Sequence, residues 1–199
     1  MKTSLSIRGI VFSALFAALF VASSYLNIHL GFTPIPISLE NLIVMLAGAI
    51  LGPLYGFLSI ALVVILTAIG IPLLHGSGGM ALLLGPTGGF IWAYPFAAWL
   101  IGFVVQRIKG RGTAAFVLTC VTLELFGSLL LYVSGVPWLA HAAHITLQKA
   151  LLVGCYPYLV GDAVKAVIAA LIVIPIRNAF PITRITGSAP RLTENSIEK

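Results

Sequence analysis

Six apolar runs, at 8–28, 39–52, 54–73, 88–106, 113–133 and 157–177, take up most of the chain, each bounded by glycine, proline or charge. Since a full span takes about 20 apolar residues, they read as membrane helices. Only 8% of the 199 residues are charged, where an ordinary soluble domain has about 25%. That leaves too little polar side chain to cover a water-facing surface, which excludes a soluble fold. The expected fold is all-α: six transmembrane helices forming a single membrane domain over 1–186. The polar stretch 187–199 is expected to be a disordered tail. Six spans and their connections fill the chain, so no attached ATPase or receptor domain is expected.

The net charge of +6 would suggest nucleic acid in a soluble protein. In a membrane protein its placement matters more. With a cytoplasmic N-terminus, the inner segments hold Lys2, Arg8, Arg107, Lys109, Arg111, Arg177, Arg184, Arg191 and Lys199, nine of the eleven cations. The positive-inside bias therefore puts both termini in the cytoplasm, with 29–38, 74–87 and 134–156 outside. The basic, then apolar start also has the features of a secretory signal. Its removal would leave an odd number of helices with the wrong charge bias, so the first helix is expected to be retained. Cys120 falls in the inner half of a span and Cys155 in an outer loop, too far apart for a disulfide.

Acids and cations inside a membrane are costly and are read as functional by default. Glu40, Glu124 and Asp162 lie near or within spans, as do Lys149 and Lys165. Asp162 and Lys165 share one face of the last helix at i,i+3, just beyond Pro157 and Tyr158, where they can neutralise each other or hold a ligand needing both an acceptor and a donor. Glu124 reads as a cavity or interhelix hydrogen-bonding residue. The motif Leu-Gly-Pro occurs at 51–53 and again at 84–86. The first copy reads as a helix end followed by a helix start. The second closes a glycine-rich outer segment holding Ser77, Gly78, Gly79, Gly88, Gly89 and Phe90, where backbone can approach a ligand closely.

Ala14, Ala18 and Ala22 form a stripe of small residues on the first helix, suited either to internal packing or to docking another membrane subunit. Gly48, Gly52 and Gly56 repeat the spacing and read as internal packing. His141 and His144 have no acid or cysteine close by in sequence and read as a surface pair, so no metal site is expected. A serine nucleophile at Ser77 lacks an oriented base. The Gly-x4-Gly-Lys-Ser/Thr phosphate loop is missing, so the chain is not expected to hydrolyse nucleotide or to act as an enzyme.

Four segments carry a family resemblance. Pro34-Ile-Pro-Ile-Ser-Leu-Glu40 resembles the PVPITLQ segment of the BioY proteins, and Ala47-Gly48-x3-Gly52-Pro53 their AGxxLGP turn. Leu84-Gly-Pro-Thr-Gly-Gly89 is similar to their LGPTGG loop and Pro157-Tyr-Leu-Val-Gly-Asp162-x2-Lys165 to PFLPGDxxK. Ser38 and Glu40 stand in place of Thr and Gln, Val160 in place of Pro, and Ile91 where some members have arginine. Without that arginine, anion binding would shift to Lys165 or backbone N–H groups, and Glu40 would have to be neutral, paired or turned to water.

The resemblance implies a biotin-specific S component of an energy-coupling factor transporter. Such a protein sits in the plasma membrane, binds one biotin as substrate under its outer loops, and uses no cofactor. It implies a transmembrane coupling protein docking on Ala14 and Ala18, and two ABC-type ATPases behind it. A solitary carrier of biotin or a related vitamin is the alternative. Its expected signature is a chain of intramembrane acids, and Glu40, Glu124 and Asp162 are scattered over three spans.

Overall fold

The first helix opens on a capping serine. In the computed structural model, which describes residues 6–28, 37–108 and 112–187, Ser6 Oγ accepts the Gly9 N–H at 2.9 Å. That cap opens α1 (Ile7–Ser24). A two-residue antiparallel ladder follows, with β1 (Asn27–Ile28) against β2 (Ile37–Ser38). Helix α2 (Glu40–Ala68) starts directly after it.

Helix α2 is a hairpin. Gly52 has φ 80° and ψ −177°, a conformation open to glycine alone, and Pro53 restarts the helix beyond it. The two arms lie back to back, because a Cβ placed on Gly56 would sit 2.9 Å from the Gly48 Cα. In a continuous helix these residues would be about 12 Å apart. The expected helix end at Gly52-Pro53 is therefore where the chain reverses. Glycine at 48 and 56 is what lets the arms touch, as their spacing suggested.

The remaining elements are α3 (Met80–Leu84), α4 (Gly88–Val105), α5 (Thr113–Glu124), α6 (Leu130–Ala142), α7 (Leu147–Gly154), α8 (Leu159–Ala179) and α9 (Ile182–Thr186). A π-helical turn, Leu125–Leu129, joins α5 to α6 without a break. Among the described residues, five helical stretches are long and apolar enough to cross a membrane: α1, α2 taken over both arms, the rod Thr113–Ala142, α4 and α8. Leu15 and Leu19 on α1, Val117, Leu118 and Val121 on α5, and Val164, Ile168 and Leu171 on α8 all face outward. An outer surface of this kind suits hydrocarbon rather than water.

One boundary departs from the sequence reading. The fifth span does not stop at 133, and 134–156 is not a loop, because α6 runs on to Ala142 and α7 follows. Gly135 and Pro137 weaken a helix locally, but tertiary packing overrides them. Gly135 seats the ring of Phe90, whose atoms lie 2.4 Å from where a Cβ would be. Ser134 Oγ donates to Gly89 O at 2.9 Å and Trp138 Nε1 to Gly85 O at 2.9 Å, tying α6 to the start of α4.

The two ends of the bundle differ in character. At one end Arg8 donates to Arg184 O at 3.3 Å, Tyr55 accepts the Ser6 N–H at 2.8 Å, and Arg107 and Arg177 border a common cleft with Ile182. The cationic segments expected on one side of the membrane thus converge in space. The tail at 188–199, together with Lys2, Lys109 and Arg111, lies outside the described residues.

Candidate ligand-binding site

At the opposite end the first residues of three helices meet. Glu40 and Asn41 open α2, Thr87 precedes α4, and Tyr158 precedes α8. All four line one cavity of about 60 Å³. Helix N-termini carry partial positive charge and favour acidic groups in the first turn. Glu40 and Asp162 occupy that position on α2 and α8. Phe90, Ile91 and Tyr94 of α4, Leu131 and Tyr132 of α6, and Gly154 at the end of α7 complete the wall with Ser38, His75 and Lys165.

Asp162 and Lys165 form an ion pair at 2.9 Å, with side chains 9% and 12% exposed. Each is held on its other side as well. Asp162 Oδ2 accepts the Tyr132 hydroxyl at 2.5 Å. Lys165 Nζ donates to Ser38 O at 2.7 Å, to Asn41 Oδ1 at 3.0 Å and to Asp162 Oδ1 at 2.9 Å. An ammonium has three N–H donors, and all three are engaged. The pair therefore ties α8 to the start of α2 and to α6, and a ligand reaching Lys165 must replace one of these acceptors.

A second polar group faces it. Glu40 is 3% exposed, and its Oε2 accepts the Tyr94 hydroxyl at 3.1 Å and lies 3.5 Å from Ser38 Oγ. Its Oε1 is 3.4 Å from His75 Nε2. Glu40 is thus buried among polar partners rather than turned to water. His75 is held at φ 54°, a left-handed conformation unusual for a residue with a Cβ. The turn that holds it there is tied down on both sides. Leu74 and Ser77 exchange backbone hydrogen bonds at 2.8 and 3.3 Å, and His75 N–H donates to Ser24 Oγ at 3.2 Å.

From the expected set, the cavity gathers Asp162, Lys165, Phe90 and Tyr158. Ser77, Gly78, Gly79, Gly88, Gly89 and Pro157 are not among its lining residues. Ser77 acts through its backbone in the His75 turn. A Cβ on Gly78 would meet Ile71 O at 2.4 Å, and one on Gly89 would meet the Trp138 side chain at 2.3 Å. These glycines allow close packing beneath the site. Gly79 N–H donates to Thr67 O at 2.6 Å, and Pro157 is exposed. Ala14, Ala18 and Ala22 all face outward from α1. His141 and His144 are exposed, as expected of a surface pair.

The acids are less scattered than their positions in sequence suggested, since Glu40 and Asp162 share the cavity although they lie on different helices. Glu124, the last residue of α5, is separate: it accepts from Ser128 Oγ at 3.2 Å, in the π-helical turn that follows. Sequence reasoning missed Tyr94, Tyr132, Asn41 and His75. A tyrosine in an apolar span is the signal that would have found the first two, since a buried phenol needs a partner for its hydroxyl.

An apolar helical bundle whose one end encloses a cavity lined by two acids, a lysine, a histidine and four aromatic rings defines a multi-pass membrane protein with a small-molecule site. The BioY family model matches residues 1–182, and the chain belongs to that family. A biotin transporter BioY of Rhizobium etli is 37% identical over 183 residues, covering 89% of this chain and 97% of the relative. A probable biotin transporter BioY of Pyrococcus horikoshii is 41% identical over 160 residues, covering 80% and 90%. Among solved structures, the S component for biotin from an ECF-type ABC transporter matches with a TM-score of 0.81 at 33% identity, over 89% of this chain and 95% of that one.

Proposed function

We propose that the protein captures biotin at the outer face of the plasma membrane, as the substrate-binding subunit of an energy-coupling factor transporter. The observation that carries this is the Asp162–Lys165 pair, set in an aromatic-walled cavity in a chain of the BioY family. The match to biotin offered by the site is chemical. A ureido group needs an acceptor for its N–H groups and a donor for its oxygen, which Asp162 and Lys165 or Asn41 provide. Phe90, Tyr94, Tyr132 and Tyr158 suit the fused thioether ring.

In this reading residues 1–186 act as one membrane domain with both termini in the cytoplasm, and biotin is substrate rather than cofactor. The chain is not an enzyme: a transmembrane coupling protein and two ABC-type ATPases supply the driving force. The outward alanine stripe, Ala14, Ala18 and Ala22, docks on the coupling protein.

Calorimetry of the purified protein with biotin tests this, with one site per chain expected. A folded protein that gives no binding at micromolar concentration refutes it. Uptake of labelled biotin by cells carrying this chain separates the subunit from a solitary carrier. Loss of uptake on ATP depletion and on deletion of the coupling protein is expected of the subunit.

A further inference from the structure

The cavity has a charge deficit that an anionic ligand must meet. Among the described residues its wall holds four groups that carry charge between mildly acidic and mildly basic pH: Glu40 on α2, His75 on the α2–α3 connection, and Asp162 and Lys165 on α8. Asp162 and Lys165 cancel each other at 2.9 Å. Glu40 and His75, 3.4 Å apart, are left to set the net charge. With one proton shared between them the wall is neutral, and with none it is −1. Lys165, held by Asp162, is the charged group that acts on Glu40 from α8, and the other described groups that line the cavity or bond to this pair are uncharged: Ser38 from β2, Asn41 from α2, Tyr94 from α4, Tyr132 from α6 and, against the His75 backbone, Ser24 from α1. Lys165 cannot simply turn to a new anion, because its three donors are engaged.

We infer that the His75–Glu40 pair is a proton-binding site coupled to the ligand, so that biotin carboxylate enters the cavity together with one proton from solvent. Placed in a wall at −1, a second negative charge is repelled across a low-dielectric space. A proton shared by His75 Nε2 and Glu40 Oε1 removes that repulsion. It also leaves the imidazole able to donate a hydrogen bond to Glu40 or to the incoming carboxylate. The inference rests on biotin being the ligand and adds a second component to its capture. A biotin carboxylate stays ionised throughout neutral and mildly basic pH, so the proton gained belongs to the protein.

The test is calorimetry of the intact protein from pH 6 to pH 9, in pairs of buffers with different ionisation enthalpies, with biotin and with the uncharged biotin amide. Biotin is expected to take up a number of protons that climbs towards one as pH rises, and its Kd to rise about tenfold per pH unit at the basic end. Biotin amide is expected to take up none. Glu40→Gln, which keeps the side-chain shape and removes the charge, is expected to abolish the uptake and flatten the pH profile. Heats of biotin binding that do not depend on the buffer at any pH overturn the inference, as does equal uptake by the amide or undiminished uptake in Glu40→Gln. The comparison of biotin with its amide on the unmodified protein decides the matter even where the variant fails to fold. Absence of any binding by biotin overturns the proposed ligand instead, so the two failures are distinct.

Discussion

Replacing Asp162 by Asn and Lys165 by Ala separates a ligand-binding pair from a purely structural one, and the two changes should differ. In Asp162→Asn the shape is retained and Lys165 keeps Ser38 O and Asn41 Oδ1 as acceptors. What is lost is the negative charge, and with it the ion pair to Lys165 and a charge-assisted hydrogen bond to the ligand. Such a bond contributes on the order of 1.5–3 kcal/mol, so biotin should bind roughly ten- to hundredfold more weakly. In Lys165→Ala, Asp162 keeps, among the described residues, only the Tyr132 hydroxyl as a side-chain partner and is left as a buried charge without its cation. Breaking a buried pair in this way costs about 3–5 kcal/mol of stability, in addition to a similar loss of biotin affinity. Titration calorimetry and a thermal melt, run on both variants and on the double variant, give the coupling between them. The double variant should lose less than the sum of the two, because the residues are in direct contact. Biotin amide should be hurt by Asp162→Asn yet be less sensitive to Lys165→Ala if the lysine holds the carboxylate. Wild-type affinity in both single variants, alongside a lower melting temperature, would refute the assignment and leave the pair as a clasp between α8 and α2.

Trp at Ala14 and Ala18 should abolish ATP-driven uptake while leaving biotin affinity within about 1 kcal/mol, because both residues face away from the cavity; paired loss of binding and uptake would show that the stripe is internal. Gly102→Val should destabilise the fold by about 1–3 kcal/mol or more, since a Cβ there lies 2.4 Å from the Gly52 carbonyl carbon; an unchanged melting temperature would mean the α2 hairpin does not pack on α4 as described. Burial, with the Asp162 carboxylate adding to it, pushes the Cys155 thiol up from its ordinary range. The thiolate is therefore scarce at pH 8, and maleimide labelling at Cys155 in a Cys120→Ser background should run well below the rate of a free cysteine.

What the sequence could reveal depended on whether a contact was local. The hairpin at Gly52-Pro53 was legible because its cause is: a left-handed glycine followed by a helix-starting proline turns the chain without any help from elsewhere. The Asp162–Lys165 pair was legible for the same reason, as i,i+3 geometry puts both on one face whatever surrounds them. The end of the fifth span was misread because Gly135 and Pro137 suggest a break locally. Their helix is held instead by Phe90, Gly85 and Gly89, some 45 to 53 residues earlier. The Glu40–His75 approach belongs to the same class. Nothing within a few residues of either one indicates the other. Two features bring them together: the fold-back of α2, which returns residue 68 to the end where residue 40 began, and the strained turn that holds His75 at positive φ. A lone glutamate at the head of an apolar run and a lone histidine in a glycine-rich segment each read as ordinary in isolation. Only their shared cavity makes them a site: a buried carboxylate and a partly buried imidazole 3.4 Å apart, beside an ion pair that neutralises itself.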